Sequence, residues 1–194
     1  MPPDPSLVVC WKSFQRGHRV PGGLEHLVLS GREADSQLIA FDDGGRPFRL
    51  SYRLQWDEAW RLRRATLQSL GPHGQRSLIL ESDGHGRWRD GQGRTREDLD
   101  GCVDIDIWPT PFTNSFPLRR EPMAIGQRHL FRMAWVAAPE LSVQPFPQAY
   151  TRIDAYRYRY ESLDGSGFTA VLQVDDAGLV IDYPGLFRRV GAPD

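Results

Sequence analysis

Asp104-Ile105-Asp106 places two carboxylates on one face of an extended strand. Glycosyltransferases use Asp-x-Asp to hold a metal against a sugar-nucleotide diphosphate, but on a nucleotide-binding α/β fold whose pattern is not found here. Two lone carboxylates are an incomplete shell for Mg2+ or Ca2+ unless phosphates or waters complete it. Ion pairing with arginine is the plainer reading of the pair. Gly84-His85-Gly86-Arg87-Trp88-Arg89 opens like a dinucleotide fingerprint, yet Arg stands where the third glycine belongs and no helix follows. Two hairpin turns read it better. His18, His26, His73, His85 and His129 lack metal-ligand spacing, and there is no Gly-x-Ser-x-Gly elbow. Cys10 and Cys102 are the only cysteines, read as reduced thiols, with Cys102 a packed core group. No catalytic residue, metal site or cofactor is assigned on these grounds. Asp104, Asp106 and Glu161 stay as acid/base candidates for an enzymatic alternative.

Tyr156, Tyr158 and Tyr160 form a row at strand spacing. A dry core favours Val, Leu or Ile, because each buried phenol needs a hydrogen-bond partner. Such a row suits a face that is apolar at the ring and wet at the tip. It also suits a thick core or a covered interface.

The elements that must position these groups are strands. Phe48, Leu50, Tyr52, Leu54 and Trp56 alternate with Arg49, Ser51, Arg53 and Gln55. His129, Phe131, Met133 and Trp135 alternate with Leu130, Arg132, Ala134 and Val136. Further strands are expected at 6–11, 25–30, 37–41, 75–82, 168–174 and 178–183. A period of two with one apolar face is the pattern of antiparallel sheets. Turn signals punctuate them: Pro21-Gly22-Gly23, Asp42 to Gly45, Asp83-Gly84, Asp90-Gly91, Asp164-Gly165 and Asp175 to Gly178. Asp57 to Leu70 reads as either a strand or an amphipathic helix. With no visible repeat or linker, residues 1–194 read as one domain with a short irregular tail at about 1–5.

Composition narrows the function classes. The net charge is −1, with 24 basic and 25 acidic residues, so no global field draws nucleic acid to the chain. Met1-Pro2-Pro3-Asp4-Pro5 has no basic leader, and Met133 to Ala138, the longest uncharged apolar run, is too short to span a bilayer. A cytoplasmic protein without an integral membrane segment is expected. Of the basic residues 23 are Arg and only Lys12 is Lys. Arg can grip carboxylate or phosphate through two bonds at once.

The most distinctive block runs from Gly101 to Arg120: a strand to Trp108, a proline-pinned turn, then Thr110-Pro111-Phe112-Thr113-Asn114 and Arg119-Arg120. Thr110-Pro111 resembles an N-cap followed by the first helical position. Pro117 disfavours helix at Phe116, so at most one turn should form between Pro111 and Pro117, and an extended Arg119-Arg120 would aim the two guanidiniums at opposite faces. This block, with Tyr52-Arg53-Leu54, Asp57, Trp60-Arg61, Gly86-Arg87-Trp88, Gln148 to Thr151, Tyr158 to Glu161 and Gly178 to Phe187, resembles a bacterial family described as "putative glycolipid-binding" proteins, and within it the Pseudomonas-type member. The resemblance runs from about Trp11 to Val190. Ser115-Phe116 and Glu121-Pro122 depart from the more usual aliphatic residues. It implies an all-β spiral roll or half-barrel with little helix, like the curved sheets of lipoprotein carriers, and a link to glycolipid metabolism.

These readings converge on non-catalytic binding of a lipid or glycolipid on the concave side of the roll. Tyr52, Trp56, Phe112, Trp88, Tyr158 and Tyr160 would meet the apolar part. Arg53, Asp104, Asp106, Thr110, Thr113, Asn114 and Arg119 or Arg120 would meet the polar part, anionic groups included. The alternatives are an enzyme acting on a lipid-linked sugar and a partner-binding module, with the chain a monomer or homodimer.

Overall fold

The structure is a computed structural model and describes residues 6–14, 22–72 and 74–191. The expected tail at 1–5, Pro21 of the first turn, His18 and His73 lie outside these residues. Fourteen strands follow one another along the described chain: β1 Leu7–Ser13, β2 Leu24–Ser30, β3 Glu33–Phe41, β4 Pro47–Trp56, β5 Leu62–Gly71, β6 Gly74–Ser82, β7 Trp88–Asp90, β8 Asp104–Trp108, β9 Arg128–Ala137, β10 Ser142–Arg152, β11 Arg157–Ser162, β12 Thr169–Val174, β13 Val180–Tyr183 and β14 Phe187–Arg189. The one α-helix among the described residues is α1, Ser115–Arg120. It is neither long nor apolar enough to cross a membrane.

Local chemistry makes the hairpins. Asp42, Asp57, Asp83 and Asp90 each accept the backbone N–H groups two and four residues on, the second belonging to Arg46, Arg61, Arg87 and Arg94. A carboxylate that mimics a backbone acceptor closes the turn and leaves the flanking strands to pair. Gly86 shows a second constraint. It sits at φ 99, its carbonyl accepts the Gly101 N–H at 2.9 Å, and a Cβ there would come within 3.0 Å of the Gly101 backbone.

The strands form a single sheet ordered β7-β6-β5-β4-β3-β2-β1-β14-β13-β12-β11-β10-β9-β8. Every pairing is antiparallel except β8 with β9. The sheet is curved and unclosed, with β7 and β8 as its two ends. Asp57 to Leu70 resolves as turn and strand, with Arg53↔Thr66 and Leu54↔Ala65 in register between β4 and β5.

Curling gives the sheet two cores. The first gathers the inward face of β1–β6, including Phe48, Leu50, Tyr52, Leu54 and Trp56, and closes against Ile105, Ile107, Phe112, Phe116, Ala134 and Val136. The second gathers Phe131, Met133, Tyr150, Tyr158, Tyr160, Tyr183 and Phe187. β8 and β9 divide them, because successive side chains point to opposite faces. Ile105 and Ile107 look into the first core, so Asp104 and Asp106 look towards the second. The polar face of Asp-x-Asp is therefore an inner wall. Indole N–H groups inside are satisfied: Trp11 donates to the Val180 carbonyl at 2.7 Å and Trp88 to that of Cys102 at 2.6 Å.

Between β8 and β9 the chain makes a cis peptide at Trp108-Pro109, a 3-10 turn at Phe112–Asn114 and then α1. The helix passes through Pro117, against the one-turn limit expected there. Pro117 is the third helical residue, where an N–H has no intrahelical acceptor, so its missing donor costs nothing. Arg119 and Arg120 are helical too, and their diverging paths follow from helical rather than strand geometry.

Candidate functional site

The distinctive block plugs the roll, and most of its polar groups hold one another. Thr110 Oγ1 accepts the Phe112 N–H at 3.1 Å, capping the 3-10 turn from one residue further out than an N-cap. Thr113 Oγ1 accepts the Ile107 N–H at 3.1 Å and donates to Asp106 Oδ1 at 3.0 Å. Asn114 Nδ2 donates to the Tyr150 hydroxyl at 2.9 Å. Arg120 clamps Asp104 from Nε at 3.0 Å and Nη2 at 2.7 Å, and Asp104 is 1% exposed. Arg119 lies over the Trp60 ring at 4.6 Å and donates to the Ala177 carbonyl. Both guanidiniums of the pair are thus engaged by groups of the protein itself.

The two aspartates of Asp-x-Asp thus part company. Burial pushes the Asp104 carboxyl up while Arg120 pulls it back. Asp106 pairs with no cation among the described residues: Thr113 and the Gln148 amide hold it, and burial leaves its carboxyl raised. Gln148 is fully buried and its Oε1 has no partner among the described residues.

Asp106 borders open space. A cavity of about 390 Å³ is lined by Asp106, Thr110, Asn114, Tyr160, Ser162, Asp164 and Ser166 at its polar end and by Trp108, Trp135, Phe146, Phe168, Tyr183 and Leu186 elsewhere. Trp108, Trp135, Phe168 and Leu186 also wall a second cavity of about 680 Å³, which continues to Phe14, Phe41 and the turn at Asp42 to Arg46. The two adjoin as one groove. Trp135 and Phe146 pack ring on ring at 5.5 Å along its side. Among the polar lining residues Asp164 is held down to about 2 by hydrogen bonds from Ser166 and Ser162. Tyr160 is pushed up by burial and by the charges of Asp106 and Asp164. No Arg or Lys among the described residues lines the smaller cavity.

The residues singled out from sequence fall in three places. Asp106, Thr110, Asn114 and Tyr160 line the groove. Tyr52, Trp88, Asp104, Phe112, Thr113 and Tyr158 are buried in the two cores or between them, and Trp56 is 6% exposed beside a shallow outer depression. Arg53 is on the outer face, paired with Asp35 at 2.5 Å and Glu33 at 3.4 Å, and Arg120 is spent on Asp104 as described. Glu161 pairs outward with Arg128 at 2.9 Å, which lowers its carboxyl and removes it from any cleft. Tyr156 precedes β11 and is half exposed, so only two rings of the tyrosine row point inward.

Sequence reading missed Trp135, Phe146, Phe168, Ser162 and Asp164 as groove walls. Asp164 read as a turn former, which it also is, accepting the Ser166 N–H at 2.9 Å. It missed Glu25 as well, 4% exposed, accepting from the Tyr52 hydroxyl at 2.5 Å and from Ser36 at 2.8 Å. Burial pushes Glu25 to about 7, and its Oε2 has no partner among the described residues. The two-residue spacing of Glu25 and Leu27 was the available signal, since Leu27 points inward.

These features define a spiral all-β roll whose inner wall leaves an aromatic groove with a cation-free polar end. The chain belongs to the family described as "Putative glycolipid-binding", whose model matches residues 8–189. It is similar to a DUF1089-family protein from Pseudomonas aeruginosa known from a crystal structure, with 51% identity, a TM-score of 0.85, and coverage of 87% of this chain and 92% of that one. No curated protein matches.

Proposed function

We propose that the protein binds an uncharged glycolipid, with the acyl chain along Trp135, Phe146 and Phe168 and the sugar among Asp106, Asn114, Tyr160 and Ser162. The observation that carries this is the lining of the smaller cavity, where aromatic rings stand beside hydrogen-bond acceptors and no Arg or Lys is found among the described residues. Each buried methylene contributes about 0.8 kcal/mol, so a medium alkyl tail supplies most of a micromolar affinity. Carboxylates accept from sugar hydroxyls but repel phosphate, which reverses the expectation that arginines here meet an anionic head group. Titration with a long-chain alkyl glucoside, read by the fluorescence of Trp108 and Trp135, should saturate below the micellar concentration. An alkyl phosphate of equal length should bind at least tenfold more weakly. Equal binding of the two, or no saturation by the glucoside, overturns the proposal.

A second reading, hydrolysis of a glycosidic bond in the same groove, is favoured by one observation. Asp106, raised, and Asp164, lowered, border one cavity and both act on Tyr160. Carboxyls pushed apart in this way suit a general acid and a base. Asp106 would protonate the glycosidic oxygen while Asp164 takes a proton from the attacking water. Sugar release from an alkyl glucoside, abolished in Asp106→Asn, is its expected result; an intact glucoside after prolonged incubation removes it.

A further inference from the structure

The outer face of β1–β5 carries one row unlike its neighbours. Lys12 pairs with Leu24, Leu24 with Ile39, Ile39 with Arg49 and Arg49 with Leu70. Directly opposed side chains on antiparallel strands sit about 5 Å apart, so these five form an unbroken stripe. Leu24 is 54% exposed, Ile39 58% and Leu70 45%. The next row along the same strands, Cys10, His26, Gln37, Ser51 and Gln68, is polar and carries no Arg or Lys. Farther along this face Val8 is also exposed, but there Arg53 and Arg64 are paired with Asp35, Glu33 and Glu81, whereas the stripe sets Lys12 and Arg49 among three exposed aliphatic side chains.

The stripe borders the mouth of the groove. Two residues beyond Lys12, just past the end of β1, is Phe14, 41% exposed, and two beyond Ile39 on β3 is Phe41; both line the larger cavity. Two strand residues span about 7 Å. Of the acids at the mouth, Asp42 is paired with Arg46 at 2.8 Å, which leaves Asp43 and Glu140 against Lys12 and Arg49.

We propose that this stripe docks the protein on an anionic lipid surface, with Leu24, Ile39 and Leu70 entering the head-group layer and Lys12 and Arg49 meeting lipid phosphates. The chemistry matches an interface that is apolar below and negative above. A second copy of the chain fits worse, since a two-fold contact over so narrow a stripe brings Lys12 and Arg49 of one copy near those of the other. Docking would set the groove mouth against the membrane that holds its ligand. That consequence rests on the glycolipid reading; the docking itself does not.

Vesicle flotation tests it. The protein should float with phosphatidylcholine vesicles containing about a third phosphatidylglycerol, and much less with phosphatidylcholine alone. Lys12→Gln/Arg49→Gln should lower partitioning about 25-fold, at about fivefold per cation removed. Leu24→Ser/Ile39→Ser should lower it at least tenfold. Both variants should keep the wild-type circular dichroism and alkyl glucoside titration, so loss of docking is read separately from loss of the groove. Wild-type protein that floats with neither vesicle, or variants that float like wild type, would overturn the proposal. So would a dimer in sedimentation that Ile39→Ser dissolves without any flotation of the wild type.

Discussion

The two concavities of the roll are built from the same kinds of residue and end differently. In the first, Phe48, Leu50, Tyr52, Leu54 and Trp56 point inward and pack with Ile105, Ile107, Phe112 and Phe116 in one buried cluster. In the second, Tyr150, Tyr158, Tyr160 and Tyr183 point inward and face the Asp104–Asp106 side of β8, and beside them a groove remains. An aromatic strand face therefore does not mark a ligand site. What arrives opposite decides, and the two faces of β8 arrive with opposite chemistry.

The comparison can be broken most directly at paired tryptophans. Trp88→Ala, at a fully buried ring of the filled core, should cost roughly 3–5 kcal/mol in urea unfolding and spare the glucoside titration. Trp135→Ala, on the groove wall, should weaken glucoside binding tenfold or more while costing much less stability. Equal destabilisation by both would remove the distinction between core and groove.

The aspartates of β8 sharpen it. Arg120→Ala leaves Asp104 buried and unpaired and should cost roughly 3–5 kcal/mol. Asp106→Asn should cost less than about 1 kcal/mol, since its holders are neutral and an amide can still accept from Thr113. A larger loss for Asp106→Asn than for Arg120→Ala would contradict the roles given to them.

Glu25 offers a pH readout inside the filled half. Its folded pKa, about 7, lies above the unfolded carboxylate value, so the native state holds the extra proton. Stability from this group is full below pH about 4.5 and is lost as pH rises to about 7, a change of roughly 3 kcal/mol. Glu25→Gln should remove that fall, so the difference curve between variant and wild type should grow across this window and flatten above it. The smallest expected effect is on Tyr160. Asp106→Asn should lower its phenol titration, followed by ultraviolet absorbance, by removing one of the two charges that raise it.

Much of this was legible without coordinates. The period of two in Phe48 to Trp56 and His129 to Val136, and the Asp-Gly turns, are local facts of backbone geometry, so the strands and the all-β class follow from the chain itself. The uncommon strings around Thr110 to Asn114 carried the family. Four groove residues, Asp106, Thr110, Asn114 and Tyr160, were also within reach, because polar groups on an otherwise apolar framework stand out. The other walls were not: Trp135 alternates like Trp56, and Asp164 and Ser166 look like any turn.

What the chain settles alone is sidedness, since alternation dictates which residues share a face of each strand. Only the tertiary structure decides what each face meets, because the opposing surfaces come from strands far along the sequence once the sheet has curled. Burial, and with it the charge state of Glu25 and Asp106, depends on that meeting, as does the open space beside Trp135.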